Sequence, residues 1–243
     1  MTLGFLGGDS RTLAAADVFR AKGEAVYGYL PGLSAREKEK SGMIFTCPRY
    51  LCETADAVIL PMPVTKDGKT LFSTDLSLSD LPFRPGQKIL GGMIPPGFYP
   101  DRDVKDYSLD EAFLRYNAFL TAQGALSFLL PYTKRGLLGI SVGVVGFGRI
   151  ASALCPMLHC AGASVTVYVR RESSRAGAEI RGFHARLTET ATAFPEEILI
   201  NTAPESGKKA LDRTGLPGIP GTFAPIAAGK ILADTLASFL ALD

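Results

Sequence analysis

The sequence predicts an α/β fold: two lobes, each made of strand–helix–strand units around a parallel sheet, joined by one long helix. Three observations carry that prediction. Thr2–Leu6 and Ala25–Tyr29 are strand-like runs that flank a helix-patterned stretch, Arg11–Lys22. Val142–Val145 and Ser164–Val169 flank a second such stretch, and repeated strand–helix–strand order is what parallel α/β sheets require. Between the two, Ser108-Leu109-Asp110-Glu111 has the form of a capping box, and the helix it starts can run to Leu130 before Pro131 stops it. Residues 1–112 are assigned to an N-terminal lobe. Residues 113–243 form the second lobe, with the bridging helix and a C-terminal helix that returns to the first.

In the first lobe, Gly7-Gly8-Asp9-Ser10 is a loop and helix cap between the first strand and its helix. Gly4-x-x-Gly7-Gly8 lacks the glycine spacing that a dinucleotide-binding turn requires, so no nucleotide is placed there. Asp9 and Arg11 stand at the carboxyl end of a strand, where open α/β sheets bind ligands. Two readings of the pair stand side by side. Either Arg11 clamps a substrate carboxylate through paired hydrogen bonds, or Asp9 is a helix cap and Arg11 its ionic partner. Further on, Ala35–Lys40 is a solvated helix face or loop, and Ala57–Leu60 is a buried strand left through the proline-broken Pro61–Gly68. Lys88–Leu90 is one more short strand, followed by Gly91-Gly92.

The bridging helix, about twenty residues, spans about 30 Å. Its apolar positions include Phe113, Leu114, Leu120, Leu126 and Leu129, while Asn117, Thr121 and Gly124 recur at spacings of four and three as a polar-to-small stripe. Such a stripe lines a cleft or lets another helix approach; the cleft is the preferred reading, which makes Asn117 and Thr121 candidate substrate contacts.

The second lobe carries the most informative stretch. A β-branched run ends in Gly146-x-Gly148-x-x-Ala151, an apolar helix follows, and a second β-branched run closes the unit. Gly146 permits a tight turn, Gly148 lets backbone touch a pyrophosphate, and small Ala151 lets the helix lie close to its strand. The free N–H groups at the helix start, at Arg149 and Ile150, then face the anion, aided by the helix dipole. A nicotinamide dinucleotide is the expected ligand, the alternative being glycines that serve only a tight turn.

At the end of the second strand an acid suits a ribose 2′-OH and an arginine suits a 2′-phosphate. This chain offers Arg170 and Arg171, with Arg175 shortly after, and no acid before Glu172. NADP is therefore favoured over NAD, against the plainer reading of a solvated basic surface. Ile198–Pro204 is a strand ending in a polar turn, which brings Asn201, Thr202 and Pro204 towards the nicotinamide end. Leu216–Gly221 is a rigid loop, and Ile226–Leu240 has a helical apolar stripe.

A net charge of +2, with bases dispersed apart from the Arg170 group, argues against nucleic acid as a partner. No segment has the roughly 18 apolar residues of a membrane span. The N-terminus enters a strand with no basic leader, so neither a secretory signal nor a membrane is expected and a cytoplasmic location is. Cys47-x4-Cys52 and Cys155-x4-Cys160 match no zinc or redox spacing, and His159 beside Cys160 is assigned to the helix after the glycine turn; no metal is expected.

Several stretches together resemble the dipicolinate synthase A-subunit family. They are Gly7-Gly8-Asp9-x-Arg11, Ile59-Leu60-Pro61, Asn117-x3-Thr121-Ala122-x-Gly124, Gly146-x-Gly148-Arg149, Asn201-Thr202-x-Pro204, Leu216-Pro217-Gly218, Ala224-Pro225 and Ala228-Gly229. The resemblance implies two Rossmann-like lobes related to the 2-hydroxyacid dehydrogenases. It also implies an NADP-dependent oxidoreductase that oxidises a dihydrodipicolinate-type diacid to dipicolinate in sporulation, beside a flavoprotein-like B subunit. Homo-oligomer formation is left open.

Two departures stand out. Gln123 occupies a position where the family usually has Glu, and an amide is no general base, so the expected substrate-side residue there has lost its proton chemistry. Glu205–Gly215 is too short for the further strand, helix and strand that the family pattern requires. Either the nucleotide sheet is smaller or an internal piece is missing. No catalytic acid or base is evident. The alternatives are a non-catalytic dinucleotide-binding or scaffolding protein, and another NADP dehydrogenase such as a shikimate- or methylenetetrahydrofolate-type enzyme, though the lysine–aspartate pair of the shikimate case is not evident.

Overall fold

A computed structural model of the chain describes residues 1–133, 136–191, 194–203 and 225–242. It divides into two units: Met1–Asn117 with Ala224–Asp243, and Ala118–Phe223.

The first unit is built on six parallel strands: β1 (Thr2–Leu6), β2 (Ala25–Tyr29), β3 (Ile44–Phe45), β4 (Ala57–Ile59), β5 (Lys88–Gly91) and β6 (Val104–Asp106). Their order is β3-β2-β1-β4-β5-β6. The chain winds outward from β1 to β3 and then returns to the other side of β1, so the direction of winding reverses between β1 and β4. That reversal opens a crevice at the carboxyl ends of these two strands.

Both faces of the sheet are covered, as the period of two along the strands demands. Leu3, Phe5, Ala57, Ile59 and Leu90 join one buried cluster with Phe19 of α1 (Ser10–Ala21) and Leu236 of α7 (Pro225–Leu240). Leu6, Val58, Leu60 and Ile89 point the other way and pack with Leu51 of α3 (Pro48–Thr54). Helix α7 lies very close to α1 at Gly229: a Cβ there would stand 2.7 Å from the Arg11 carbonyl and 2.8 Å from the Ala15 nitrogen. Only glycine fits between two backbones at that distance.

Helix α4 (Glu111–Leu129) starts later than its sequence signal. Asp106 accepts hydrogen bonds from the Ser108 N–H (2.8 Å) and hydroxyl (2.6 Å), winding Tyr107–Leu109 into a 3₁₀ turn. Asp110 then caps α4 by accepting from the Phe113 N–H at 2.7 Å. The Ser108 capping box is thus replaced by an Asp110 cap, because Asp106 has already engaged Ser108. A reciprocal box does form at Ser34 and Glu37, where it starts α2 (Ala35–Ser41).

The second unit has four parallel strands, β7 (Ser141–Val145), β8 (Ser164–Val169), β9 (His184–Leu187) and β10 (Ile198–Asn201), in the order β10-β7-β8-β9. Read from β9, this repeats the order of the first four of the six strands in the other sheet: third, second, first, fourth. Helices α5 (Arg149–Cys160) and α6 (Glu172–Glu179) make the crossovers. Val142, Val144, Val165, Val167 and Ile200 form the core with Ala151, Leu154, Cys155 and Leu158 of α5. No helix among the described residues is long and apolar enough to cross a membrane. No group of three or more His, Cys, Asp or Glu among them can hold a metal ion.

Candidate functional site: two crevices at sheet reversal points

The second unit opens a groove of about 310 Å³ at the carboxyl ends of β7, β8 and β10. Its walls include Gly146, Gly148, Arg170, Arg171, Ser174 and Thr202. Gly146 has φ +93°, a conformation that side chains disfavour, and its N–H donates to the Tyr168 carbonyl at 2.8 Å. This turn carries the chain from β7 to α5. Among the described residues nothing lies within 4 Å of where a Gly148 Cβ would point, and Gly148, the N-cap of α5, makes no side-chain cap bond. A helix start of this kind suits an anion.

Thr202 ties β10 to β7: its N–H and its hydroxyl both donate to the Val145 carbonyl at 2.9 Å. The hydroxyl proton is thereby committed, and the oxygen remains an acceptor. Asn201 is exposed, and its side-chain oxygen accepts from the Ala203 N–H at 2.9 Å in an Asx turn. Tyr168 is fully buried beside the groove, and its hydroxyl donates to the two Glu196 oxygens, each at 2.9 Å. Burial first, then the Glu196 carboxylate, pushes its pKa up to about 12, so it stays a neutral donor at physiological pH.

The arginines divide into two kinds. Arg170 and Arg171 are exposed on the groove wall, and their guanidinium groups make no hydrogen bond or ion pair among the described residues. Arg175 is engaged by Glu172 and Glu179 on its own helix.

The first unit has a smaller pocket, of about 20 Å³, at the reversal point between β1 and β4. Asp9, Arg11, Phe72, Tyr107, Phe113 and Asn117 are among the residues around it. Asp9 caps α1 by accepting from the Arg11 N–H at 2.9 Å, and it also receives the guanidinium: Nε donates at 3.1 Å to each oxygen and Nη2 at 2.9 Å to Oδ2. Nη2 further reaches the Met62 carbonyl at 3.4 Å. The loop after β4 folds over the Gly7–Gly8 turn, where the Phe72 carbonyl stands 2.9 Å from the place of a Gly7 Cβ. Tyr107 is buried, its hydroxyl donates to the Leu60 carbonyl at 3.0 Å, and burial raises its pKa well above the usual value.

Of the substrate-side residues expected from sequence, Asp9, Arg11 and Asn117 line this pocket, while Thr121 and Gln123 do not. Both stand on the part of α4 that belongs to the second unit, Thr121 half-buried and Gln123 exposed. Of the expected cofactor residues, Gly146, Gly148, Arg170, Arg171 and Thr202 line the groove, and Arg149, Ile150 and Asn201 flank it in sequence. Pro204 lies outside the described residues, as does the 216–221 loop. Sequence reading missed Ser174 and Thr188 in the groove and Phe72 in the pocket.

No family model matches the chain. Among curated proteins, the A subunit of dipicolinate synthase from Bacillus subtilis (strain 168) is 23% identical, with 99% of this chain and 96% of that protein aligned. Along nearly its whole length, the chain resembles the dipicolinate synthase A subunit. The alignment runs over 289 positions although the chain has 243 residues, so the relative carries segments with no counterpart here. Solved structures agree on the fold. The crystal structure of the Bacillus subtilis dipicolinate synthase A subunit superposes with a TM-score of 0.70 at 20% identity, covering 99% of this chain and 96% of that one. The same protein from Bacillus halodurans gives 0.75 at 20% identity, covering 100% and 98%. A transhydrogenase from Sinorhizobium meliloti gives 0.56 at 14% identity, covering 98% and 93%. Two Rossmann-like α/β units are the common ground.

Proposed function

We propose that the chain is an NADP-dependent oxidoreductase of the dipicolinate synthase type, oxidising a dihydrodipicolinate-type cyclic diacid to the aromatic diacid beside a flavoprotein-like partner. One observation carries the choice of cofactor: Arg170 and Arg171 stand unpaired among the described residues at the end of β8, on the wall of the Gly146–Gly148 groove. Two unengaged guanidinium groups suit a 2′-phosphate, whose charge-assisted bonds are stronger than any to a neutral ribose hydroxyl. The open space at Gly148 among the described residues, at the start of α5, fits a diphosphate.

When bound, NADP supplies a hydride acceptor, and that chemistry belongs to the cofactor. The protein's part is alignment. Gly146 and Gly148 hold the turn open for the diphosphate, and Thr202 fixes the end of β10 where the nicotinamide side of such a groove begins. Arg11 binds one carboxylate of the diacid and Asn117 orients its ring. Thr121 and Gln123 are retained as substrate-side residues on the resemblance alone, and Arg149, Ile150, Asn201 and Pro204 as cofactor-side residues. Aromatisation of the ring favours loss of the proton, so no strong base is required.

The test is a titration with NADPH and NADH, with and without dipicolinate, followed by nucleotide fluorescence, which the absence of tryptophan leaves against only a tyrosine background. Replacing Arg170 and Arg171 by alanine is expected to weaken NADPH binding by about 1.5–3 kcal/mol per lost charged hydrogen bond, tenfold or more, and to leave NADH almost unaffected. Equal losses for the two nucleotides would remove the 2′-phosphate. A second reading, a non-catalytic nucleotide-binding protein, is favoured by the segments that the 23%-identical relative has and this chain lacks. NADP reduction in the presence of the flavoprotein-like partner separates the two.

A further inference from the structure

Resting on the NADP reading above, we infer that Arg175 is a positioning residue for cofactor choice: by holding Glu172 it cancels the carboxylate that stands between the wall residues Arg171 and Ser174 and thereby sets the preference for NADPH over NADH. Helix α6 begins at the rim of the groove, with Arg171 as its N-cap and Ser174 in its first turn, and both line the wall. Glu172 lies between them in sequence but is absent from the lining. Left to itself, a carboxylate just past the second strand of such a unit does two things. It accepts from a ribose 2′-OH, and its charge opposes a 2′-phosphate.

Here it is not left to itself. Arg175 Nε donates to both Glu172 oxygens, at 2.9 and 3.0 Å, and Nη2 adds a further bond to Oε1. The fork-on-fork geometry occupies the acceptor sites that a ribose hydroxyl would use. On its other side Arg175 Nη1 donates to Glu179 at 2.7 Å, one helical turn further on. Glu179 thus draws the guanidinium along the helix, away from the strand end. The Arg175 hydrogen bond holds the Glu172 carboxyl below its ordinary range, so it is ionised throughout the physiological range and its charge must be cancelled rather than protonated away. Three arginines therefore share two tasks: Arg170 and Arg171 face the ligand, and Arg175 silences the acid between them.

In a water-like dielectric, freeing a carboxylate roughly 8 Å from a phosphate dianion weakens binding by about three- to tenfold at low ionic strength, and less in salt. The test compares NADPH and NADH dissociation constants, by nucleotide fluorescence, for the full chain, for Arg175→Met and for the double variant Glu172→Gln/Arg175→Met. Expected are a loss for NADPH of about three- to tenfold in Arg175→Met, no loss for NADH, and recovery of NADPH affinity in the double variant. Equal weakening of both nucleotides, or no recovery on removing the Glu172 charge, would return Arg175 to a purely structural role. An unchanged NADPH affinity in Arg175→Met overturns this inference alone. An unmodified protein that binds neither nucleotide overturns the cofactor reading and this inference with it.

Discussion

Arg11 has two demands on one guanidinium, and magnitudes separate them. Its fork already rests on Asp9, so an incoming carboxylate must compete with an ion pair whose members are about a quarter exposed, Arg11 at 23% and Asp9 at 28%. Hydrogen bonds to charged groups contribute about 1.5–3 kcal/mol to stability, and the Asp9 cap on α1 uses the Arg11 backbone N–H, which any side chain leaves in place. Arg11→Met should therefore lower the melting temperature by about 3–12 °C in a chain of this size. The same substitution removes the fork and should abolish dipicolinate binding in calorimetric titration, with NADPH affinity unchanged. Diacid affinity that survives Arg11→Met would make the pair a helix cap and nothing more.

At the scale of elements, the start of α4 offers a similarly sharp choice. Asp110→Ala removes the acceptor for the Phe113 N–H and is expected to lower unfolding free energy by about 1 kcal/mol, read from denaturant unfolding, whereas a cap at Ser108 would leave Asp110→Ala near neutral. This boundary also shows what a sequence conveys and what it withholds. Spacing alone pointed to a cap near residue 108, but the choice between Ser108 and Asp110 was made by Asp106, through bonds that only a folded turn brings together. Strands β1 and β7, buried but for their first residue, were legible because buried parallel strands are nearly continuous apolar runs. Strand β3 is two residues long with Ile44 exposed, and β9, His184–Leu187, alternates exposed and half-buried residues at a sheet edge, so neither leaves such a run. Helix α6 was missed because Glu172–Glu179 has Ala178 as its one buried residue. At the groove, Gly146, Gly148, Arg170 and Arg171 announced themselves by backbone geometry and charge. Ser174 and Thr188 are ordinary polar residues until α6 and the end of β9 place them on the wall.

For the whole molecule, each hydrophobic cluster draws on one unit. Leu3, Phe19 and Leu236 share one, Leu51 and Ile89 another, both within residues 1–117 and 224–243; Val144, Leu154 and Val167 share the third, within 118–223. A unit with its own core can open as its own cooperative body, and a ligand stabilises the body that binds it. NADPH at a hundred times its dissociation constant adds about 2.7 kcal/mol to the state that binds it. Core amides that exchange only when the second unit opens should then exchange about 100-fold more slowly. Val144 in β7 and Val167 in β8 are the reporters, since both are fully buried in the strands that end at the groove. Leu3 in β1 and Val58 in β4, equally buried in the other sheet, should keep their rates. If all four slow by the same factor, the chain opens as a single body and its division into units has no thermodynamic meaning; if none slows, the nucleotide is not held at the ends of β7 and β8, and the arginines beside them serve some other anion.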